Sequence, residues 1–133
     1  MKPMTAEEIK EVLPAFQGSM DHYRSSAFAR NIYHTDGVQW LADVARCFWL
    51  IDAIVSYQMN PRVRREPFQV WTLKVENSHA LLMASDGNED TPPIATQKIP
   101  YTDFPLEEIT LYLEDGSLDM ELPAKILMLP SER

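Results

Sequence analysis

Three polar residues in the first half of the chain have side chains that could bind a ligand or transfer a proton: His34, Asp36 and Asp52. An imidazole beside carboxylates is a common acid–base arrangement, because its protonation changes near neutral pH. His34 and Asp36 flank a predicted helix start, whereas Asp52 reaches them only if the fold brings the two segments together. One hypothesis is therefore a small enzyme or ligand-binding domain that uses these three residues.

The sequence lacks the motifs of the familiar kinds of catalytic site. The chain has four glycines and no Gly-rich phosphate loop, no G-x-S-x-G sequence, and no H-E-x-x-H or C-x-x-C metal pattern. We therefore predict no cofactor and no metal, assign no catalytic residue, and regard an enzyme as the less favoured class. Cys47, the single cysteine, lies in an apolar stretch and is predicted to be a core residue, because a reactive thiolate needs an electropositive, partly exposed setting.

The segment 34–58 carries the clearest helix signal. Asp36 is the predicted N-cap, with Gln39 at the third helical position in a capping-box arrangement. Gly37 allows the chain to turn tightly into the helix. We therefore predict one long central helix over about residues 37–58.

At about 100° per residue, this helix has a narrow polar strip and a wide apolar sector. Gln39, Asp43 and Arg46 form the strip, whereas Trp40 and Trp49 belong to or extend the apolar sector. A helix that is apolar on so many sides is normally covered from more than one direction, by a sheet and by another helix or a second subunit. Trp40 and Trp49 are therefore a candidate interaction surface, and we expect a homo-oligomer.

Asp52 breaks the apolar pattern, because its direction lies within or at the border of the apolar sector. A buried carboxylate is unfavourable unless it is paired or hydrogen-bonded. We therefore expect Asp52 to have either a raised pKa or a partner, and we favour a structural hydrogen bond over a catalytic role. The candidate partners are Arg30, Arg46, Tyr33 and His34.

Two elements are predicted before the central helix. A first helix should start at Thr5, whose hydroxyl can cap it while Glu8 reaches back in a capping box. Pro14 should weaken or end this helix. Residues 26–34 contain apolar side chains without helical spacing, which favours a strand.

After the central helix the pattern changes to short alternating segments, which are typical of strands. Asn77-Ser78 should join the first two strands, and Asp115-Gly116 should form a type I′ turn between residues 109–114 and 118–122. The further predicted strands are 68–75, 80–85, 94–99 and 125–129. The predicted fold is therefore α+β: an N-terminal helix, one strand, and the long central helix packed on an antiparallel sheet of the C-terminal half.

Length and charge limit the function classes. The chain has 133 residues, 45% of them apolar, which suits a single globular domain spanning 1–133. Its net charge of −8 argues against a nucleic-acid partner. No apolar run is long enough for a membrane span, the N-terminal residues lack the apolar run of a signal peptide, and one cysteine suits a reducing compartment, so we predict a cytoplasmic protein without a membrane partner.

Short segments along the chain form a recognisable set: Thr35-Asp36-Gly37-Val38, Leu41-Ala42, Trp49-Leu50, Asp52, Ile54, Ser56-Tyr57-Gln58, Phe104-Pro105 and Leu111-Tyr112-Leu113-Glu114-Asp115-Gly116. Together they resemble a family of small bacterial and phage-associated proteins known only as a domain of unknown function. The resemblance covers most of the chain, although residues 117–125 look longer than the family's usual ending. It implies a cytoplasmic location and the Thr-Asp-Gly helix start, and it carries over no catalytic residue.

Two further function hypotheses stand beside the enzyme or ligand-binding domain. The leading one is a non-enzymatic protein-interaction module that associates with itself or with another protein. The other is an acidic inhibitor or regulator, encoded by host or phage, that binds a basic site on a host protein. It arises because residues 67–133 hold the whole excess of acidic side chains, and a compact negative stripe across 76–121 would favour it.

Overall fold

A sheet with helices packed against one of its faces forms the described part of the chain, residues 4–17, 22–24, 31–118 and 122–133, in the computed structural model. The α-helices are α1 (Ala6–Val12), α2 (Asp36–Ala45), α3 (Phe48–Tyr57) and α4 (Pro61–Arg64). The strands are β1 (His22–Arg24), β2 (Ile32–Thr35), β3 (Phe68–Glu76), β4 (His79–Ser85), β5 (Ala95–Ile99), β6 (Glu108–Leu118) and β7 (Leu122–Met128). Two 3₁₀ turns, Leu13–Ala15 and Pro130–Glu132, complete these elements.

The strands of the described residues form one seven-stranded sheet in the order β1-β2-β7-β6-β3-β4-β5. Its neighbouring strands are antiparallel except β2 and β7, which run parallel with Ile32 opposite Lys125. The predicted α+β class is confirmed. The sheet also extends beyond the C-terminal half, because β1 and β2 lengthen it next to β7.

The first helix begins as predicted. The hydroxyl of Thr5 accepts from the backbone N–H of Glu8 at 3.2 Å, and the backbone N–H of Thr5 donates to the Glu8 carboxylate at 3.1 Å. The helix ends at Val12, and Pro14 lies within the 3₁₀ turn that follows. These contacts are local, which is why the sequence alone predicts them.

The long central helix predicted over 37–58 is divided in two. Arg46 ends α2 with a φ of 52°, the left-handed region, and the N–H of Cys47 donates to the carbonyl of Ala42 at 3.0 Å. Sγ of Cys47 donates to the carbonyl of Leu41 at 3.7 Å. The break gives α2 and α3 different buried directions, so both can pack on the same sheet.

The N-cap of α2 is Thr35, and the prediction of Asp36 is therefore wrong by one residue. The Thr35 hydroxyl accepts from the N–H of Val38 at 3.4 Å, and Asp36 is the first residue of the helix. Either residue has a side-chain oxygen suited to an N-cap, so the capping pattern alone does not separate them. Gln39 consequently does not complete a capping box.

Of the two predicted hairpins, one is confirmed. Asn77 and Ser78 have φ values of 50° and 65° and join β3 to β4, with Glu76 opposite His79. Asp115 and Gly116 form no turn, because both continue β6.

Asp115 is held in the extended strand by its partner on β7. It lies opposite Lys125, and Nζ of Lys125 donates to the Asp115 carboxylate at 2.6 Å. The pairing continues to Leu118, opposite Leu122, so the connection between β6 and β7 falls on residues 119–121, outside the described residues. The predicted strand 26–34 is confirmed from Ile32, and its residues 26–30 also lie outside the described ranges.

The core lies between the helices and one face of the sheet. Trp71, Leu73, Leu82, Leu111, Leu113 and Leu127 supply the buried sheet side chains, and Ile9, Leu41, Leu50, Ile51 and Ile54 supply helix side chains. Among the described helices, none has the length and apolar character needed to cross a membrane.

Candidate functional site

His34 begins a polar chain that runs along α2. Its side chain is buried, and its ring stacks on that of Tyr23, with ring centroids 5.6 Å apart. Nε2 of His34 lies 2.6 Å from Oε1 of Gln39, and the Gln39 amide nitrogen donates to Asp43 at 3.4 Å. Because that nitrogen faces Asp43, the Gln39 oxygen faces His34, and Nε2–H of His34 is the donor. His34 of β2 is therefore linked to Gln39 and Asp43, two of the three residues of the predicted polar strip.

The charge state of His34 follows from its burial. Removal from water lowers the pKa of His34 from its ordinary value of 6.5, while the hydrogen bond to Gln39 and the charge of Asp43 act in the opposite direction. The imidazole is therefore neutral at pH 7, with one nitrogen donating to Gln39. This arrangement suits a fixed hydrogen-bond donor better than a proton-transfer group that cycles near neutral pH.

The other two residues of the predicted ligand site lie on helices. Asp36 is half-buried in the first turn of α2, and Asp52 is exposed on α3, where it makes no hydrogen bond or ion pair with any described residue. The helical spacing placed Asp52 within or at the border of the apolar sector, but the break at Arg46 changes the direction of the buried face and leaves Asp52 exposed. A single continuous helix would have directed Asp52 toward the core. A role for these residues in binding stays a prediction.

Trp40 and Trp49, the predicted interaction surface, both lie half-buried against the core. The ring of Trp40 contacts that of Phe16, with centroids 5.5 Å apart. The large apolar side chains with the greater exposure lie elsewhere, for example Phe48 at 45% and Tyr101 at 73%. Much of each indole thus packs against the core of the domain. A role of the two tryptophans in association stays a prediction.

The described residues contain neither a cluster of metal-binding side chains nor a reactive thiol. No three His, Cys, Asp or Glu side chains among them are grouped so as to hold a metal ion. Cys47 is buried at the break between α2 and α3, and this burial raises the pKa of its thiol to about 12. The thiol is therefore protonated at neutral pH and acts as a core residue.

The sheet face that points away from the core carries an apolar patch, here called the open face. In the part of the chain that the structure describes, no helix side chain forms a hydrogen bond or ring contact with it. Helix contacts such as Tyr57 with Trp71 reach the opposite face. The open face consists of the half-buried side chains of Phe68, Val70, Thr72, Leu81, Met83, Tyr112 and Ile126.

Charges around the open face are balanced. Lys74 lies opposite Glu108 in the strand register, and Glu114 forms an ion pair with Arg133 at 3.2 Å. The guanidinium of Arg133 also lies 4.3 Å from the ring centre of Phe68. In a chain with a net charge of −8, this face is therefore more nearly neutral than the surface as a whole.

A cleft of about 1240 Å³, here called the end cleft, lies where the β3–β4 turn meets the connection from β5 to β6. The N–H of Thr102 donates to the carbonyl of Ser78 at 2.8 Å, and that of Val75 donates to Glu107 at 2.8 Å, so the connection is held against the hairpin. The lining of the end cleft includes Lys74, Leu81, Lys98, Ile99, Phe104 and Pro105. None of the five site residues predicted from the sequence lines this cleft.

Among the residues that the structure describes, the acidic side chains of the C-terminal half do not form one compact stripe. Glu76 and Glu107 lie at the end cleft. The acidic loop that contains Gly87 lies at the opposite end of β3, where a side chain at Gly87 would come within 3.4 Å of the Phe68 ring. This separation argues against the hypothesis of an acidic inhibitor with a single negative binding surface.

A buried polar network is also present that was not predicted from the sequence. Gln58 at the end of α3 and Gln69 on β3 are both fully buried and exchange side-chain hydrogen bonds of 2.9 and 3.0 Å. Nε1 of Trp71 donates to the Gln69 oxygen at 2.9 Å, and the Gln69 amide donates to the carbonyl of Val63 at 3.0 Å. Every amide group of this pair has a partner, so the network joins α3, α4 and β3 as a structural element.

Comparison with known proteins gives a family without an assigned activity. Residues 7–133 match the family described as "Family of unknown function (DUF6876)". No curated protein and no solved structure matches the chain significantly. A functional proposal therefore depends on the geometry of the protein's own surfaces.

Proposed function

We propose that this chain, which belongs to that family of unknown function, is a non-enzymatic protein-interaction module that associates with itself through its open face. The observation that carries the proposal is the group of half-buried apolar side chains at the centre of that face, Val70, Met83 and Tyr112, with which no described helix side chain forms a hydrogen bond or ring contact. Apolar surface gains about 25 cal/mol per Å² on removal from water, and contiguous exposed patches of it commonly mark interfaces.

A second copy of the chain is the partner that the charges favour. Two molecules of net charge −8 repel each other over most of their surfaces. At the open face the repulsion is weakest, because Lys74 and Arg133 offset Glu108 and Glu114. A two-fold axis would place identical faces against each other, and stacked sheets pack about 10 Å apart.

The working compartment in this proposal is the cytoplasm. The single cysteine, Cys47, is buried and forms no disulfide within the chain. A domain that is stabilised by its apolar core suits a reducing compartment. The same proposal includes neither a nucleic-acid partner nor a membrane partner.

The experiment is to measure the mass of the protein by sedimentation equilibrium as a function of concentration. We expect a dimer, and we expect Met83→Glu on the open face to give a monomer that still unfolds cooperatively, at a lower melting temperature because association stabilises the folded state. Phe48→Glu is the matched control, because Phe48 is an exposed apolar residue on the helix side of the molecule.

Two results would refute the proposal. One is a wild-type protein that stays monomeric at every concentration measured. The other is a dimer that Phe48→Glu dissociates and Met83→Glu leaves intact, which would move the interface to the helices.

A further inference from the structure

We infer that the surface around α4 is a docking site for an acidic segment of another protein, in which carboxylate side chains lie beside apolar ones. This surface, here called the arginine patch, consists of Met59, Arg62, Arg64 and Arg65. It is separate from the open face, because α4 packs on the core side of the sheet, where Gln69 donates to the carbonyl of Val63. The inference therefore does not rest on self-association through the open face.

The short helix α4 presents all three arginines to solvent. Val63 is buried, and at about 100° per residue Arg62 and Arg64 lie on either side of it. Arg65 lies on the side of the turn opposite Val63, and all three arginines are exposed. Arg62 and Arg65 are three positions apart, so they are neighbours on the outer surface. Their like charges repel each other, and an anion that lies between them would relieve this repulsion.

The backbone of α4 is fixed by its own contacts. The side chain of Asn60, the N-cap, accepts from the N–H of Arg62 at 3.0 Å, and Pro61 is the first residue of the helix. The carbonyl of Val63 accepts from the buried amide of Gln69 at 3.0 Å. A partner therefore meets a preformed surface, and its binding has to order side chains only, which lowers the entropy cost.

The arginine patch is not neutralised by acidic side chains of the same molecule. Within the described ranges the ion pairs are those of Lys125 and Arg133, and none includes an arginine of the patch. Residues 58–66 contain three arginines and one acid, Glu66, so their net charge is +2, opposite in sign to the −8 of the whole chain. An acidic segment is therefore attracted here and repelled by most of the remaining surface, which determines where it docks.

An apolar side chain adjoins the arginines. Met59 immediately precedes the N-cap of α4 and is 56% exposed. Arginine and methionine are enriched in protein–protein interfaces, whereas lysine and the acidic residues are depleted there. Guanidinium groups also form bidentate hydrogen bonds with carboxylates. A small anion would leave Met59 in water, so the patch fits a segment that carries both carboxylates and apolar side chains.

Three capped peptides separate these contributions: DELDELDE has both chemistries, DEQDEQDE lacks the apolar residues, and NQLNQLNQ lacks the charge. Each peptide is titrated into the full chain and followed by calorimetry and NMR. We expect saturable binding of DELDELDE with shifts of the Arg62 and Arg65 amide signals, and affinities at least about tenfold weaker for the other two peptides. Added salt should weaken DELDELDE binding, because exposed charges are screened.

Substitutions in the patch test the same contacts. Arg62→Gln with Arg65→Gln should weaken DELDELDE binding by about tenfold or more, and Met59→Gln by about threefold. Arg46→Gln is the matched control, because Arg46 is an exposed arginine near the other end of α3, and it should leave the affinity unchanged. The melting temperature of each variant shows that it is folded.

Several outcomes would overturn the inference. Absence of saturable DELDELDE binding would do so, as would an unchanged affinity in the folded double variant. Signal shifts confined to residues outside the patch would also refute it. Equal affinity for DELDELDE and DEQDEQDE would show general attraction of anions without an apolar contact. Self-association of the wild type that the double variant abolishes would make a second copy the occupant, in place of another protein.

Discussion

Gln58 and Gln69 bind each other by two reciprocal amide hydrogen bonds inside the apolar core, at 2.9 and 3.0 Å. Buried amides are stable only when their donors and acceptors are paired, and here each amide also binds a backbone carbonyl. The pair therefore specifies how the end of α3 meets β3.

Loss of one member of this pair should destabilise the protein strongly. Gln69→Met leaves Gln58 and Nε1 of Trp71 without their partner, and we expect a loss of about 2–4 kcal/mol in the free energy of unfolding. Replacing both glutamines by methionine should lose less than the sum of the two single replacements, with a coupling of about 1–3 kcal/mol. Urea denaturation of the four proteins measures this cycle, and strict additivity would contradict the network.

Ser78→Gly should stabilise the β3–β4 hairpin. Ser78 has a φ of 65°, a backbone conformation that is unfavourable for a residue with a Cβ but not for glycine. Asn-Gly is the favoured pair for such a turn. We expect a gain of about 0.5–1 kcal/mol in thermal or urea unfolding. Ser78→Val is the control and should destabilise, whereas equal stability of both variants would argue against this backbone geometry.

Arg46→Gly should have a similar effect at the break between α2 and α3. The φ of Arg46 is 52°, and its side chain is exposed, so glycine relieves strain without removing buried contacts. We expect an increase in the free energy of unfolding of up to about 1 kcal/mol. A decrease of that size would instead indicate that residues 37–58 form one continuous helix.

Gly37→Ala should be destabilising because of a close approach by the C-terminal turn. An added Cβ would lie 2.6 Å from Oε1 of Glu132, a carboxylate already held by Thr35 at 2.6 Å and by the N–H of Gly37 at 3.2 Å. We expect a loss of about 1–3 kcal/mol by urea unfolding. Gly116→Ala is the matched control, because the nearest atom there lies at 3.4 Å, and it should be neutral or slightly stabilising.

His34 should make stability depend on pH. Its pKa is lowered in the folded protein, so below the ordinary value of 6.5 the unfolded chain binds more protons and the folded state loses stability as the pH falls. Between about pH 7 and about pH 5, the melting temperature of His34→Gln should fall less steeply than that of the wild type. His79→Gln, at an exposed histidine, should keep the wild-type slope. Identical slopes for all three proteins would contradict the effect of burial.

Local signals explain which parts of the fold could be predicted from the sequence. The Thr5 capping box and the Asn77-Ser78 turn depend on residues within four positions of each other. The break at Arg46 has no such signal, because a left-handed residue at a helix end is usually glycine or asparagine and here it is an arginine. That single error also misplaced Asp52, whose exposure depends on the direction of α3 alone.

The candidate sites depend even more on long-range pairing. His34 was identified, and its link to Gln39 is local, since the two residues are five positions apart at the junction of β2 and α2. The end cleft requires the β5–β6 connection to cross the β3–β4 hairpin, and the open face requires the register of four strands. No short motif encodes either surface.

The parallel pairing of β2 with β7 has a consequence for biosynthesis. Strand β2 gains β7 as its second sheet neighbour, and the start of α2 gains its contact with Glu132, only after the intervening residues have left the ribosome, since Thr35 and Glu132 are 97 residues apart. The β3–β4 and β4–β5 hairpins, in contrast, close over short loops and can form early. Until β7 is made, apolar side chains of β2 and α2 therefore stay exposed on the nascent chain. A chaperone that binds apolar segments would have its largest binding surface there during this interval.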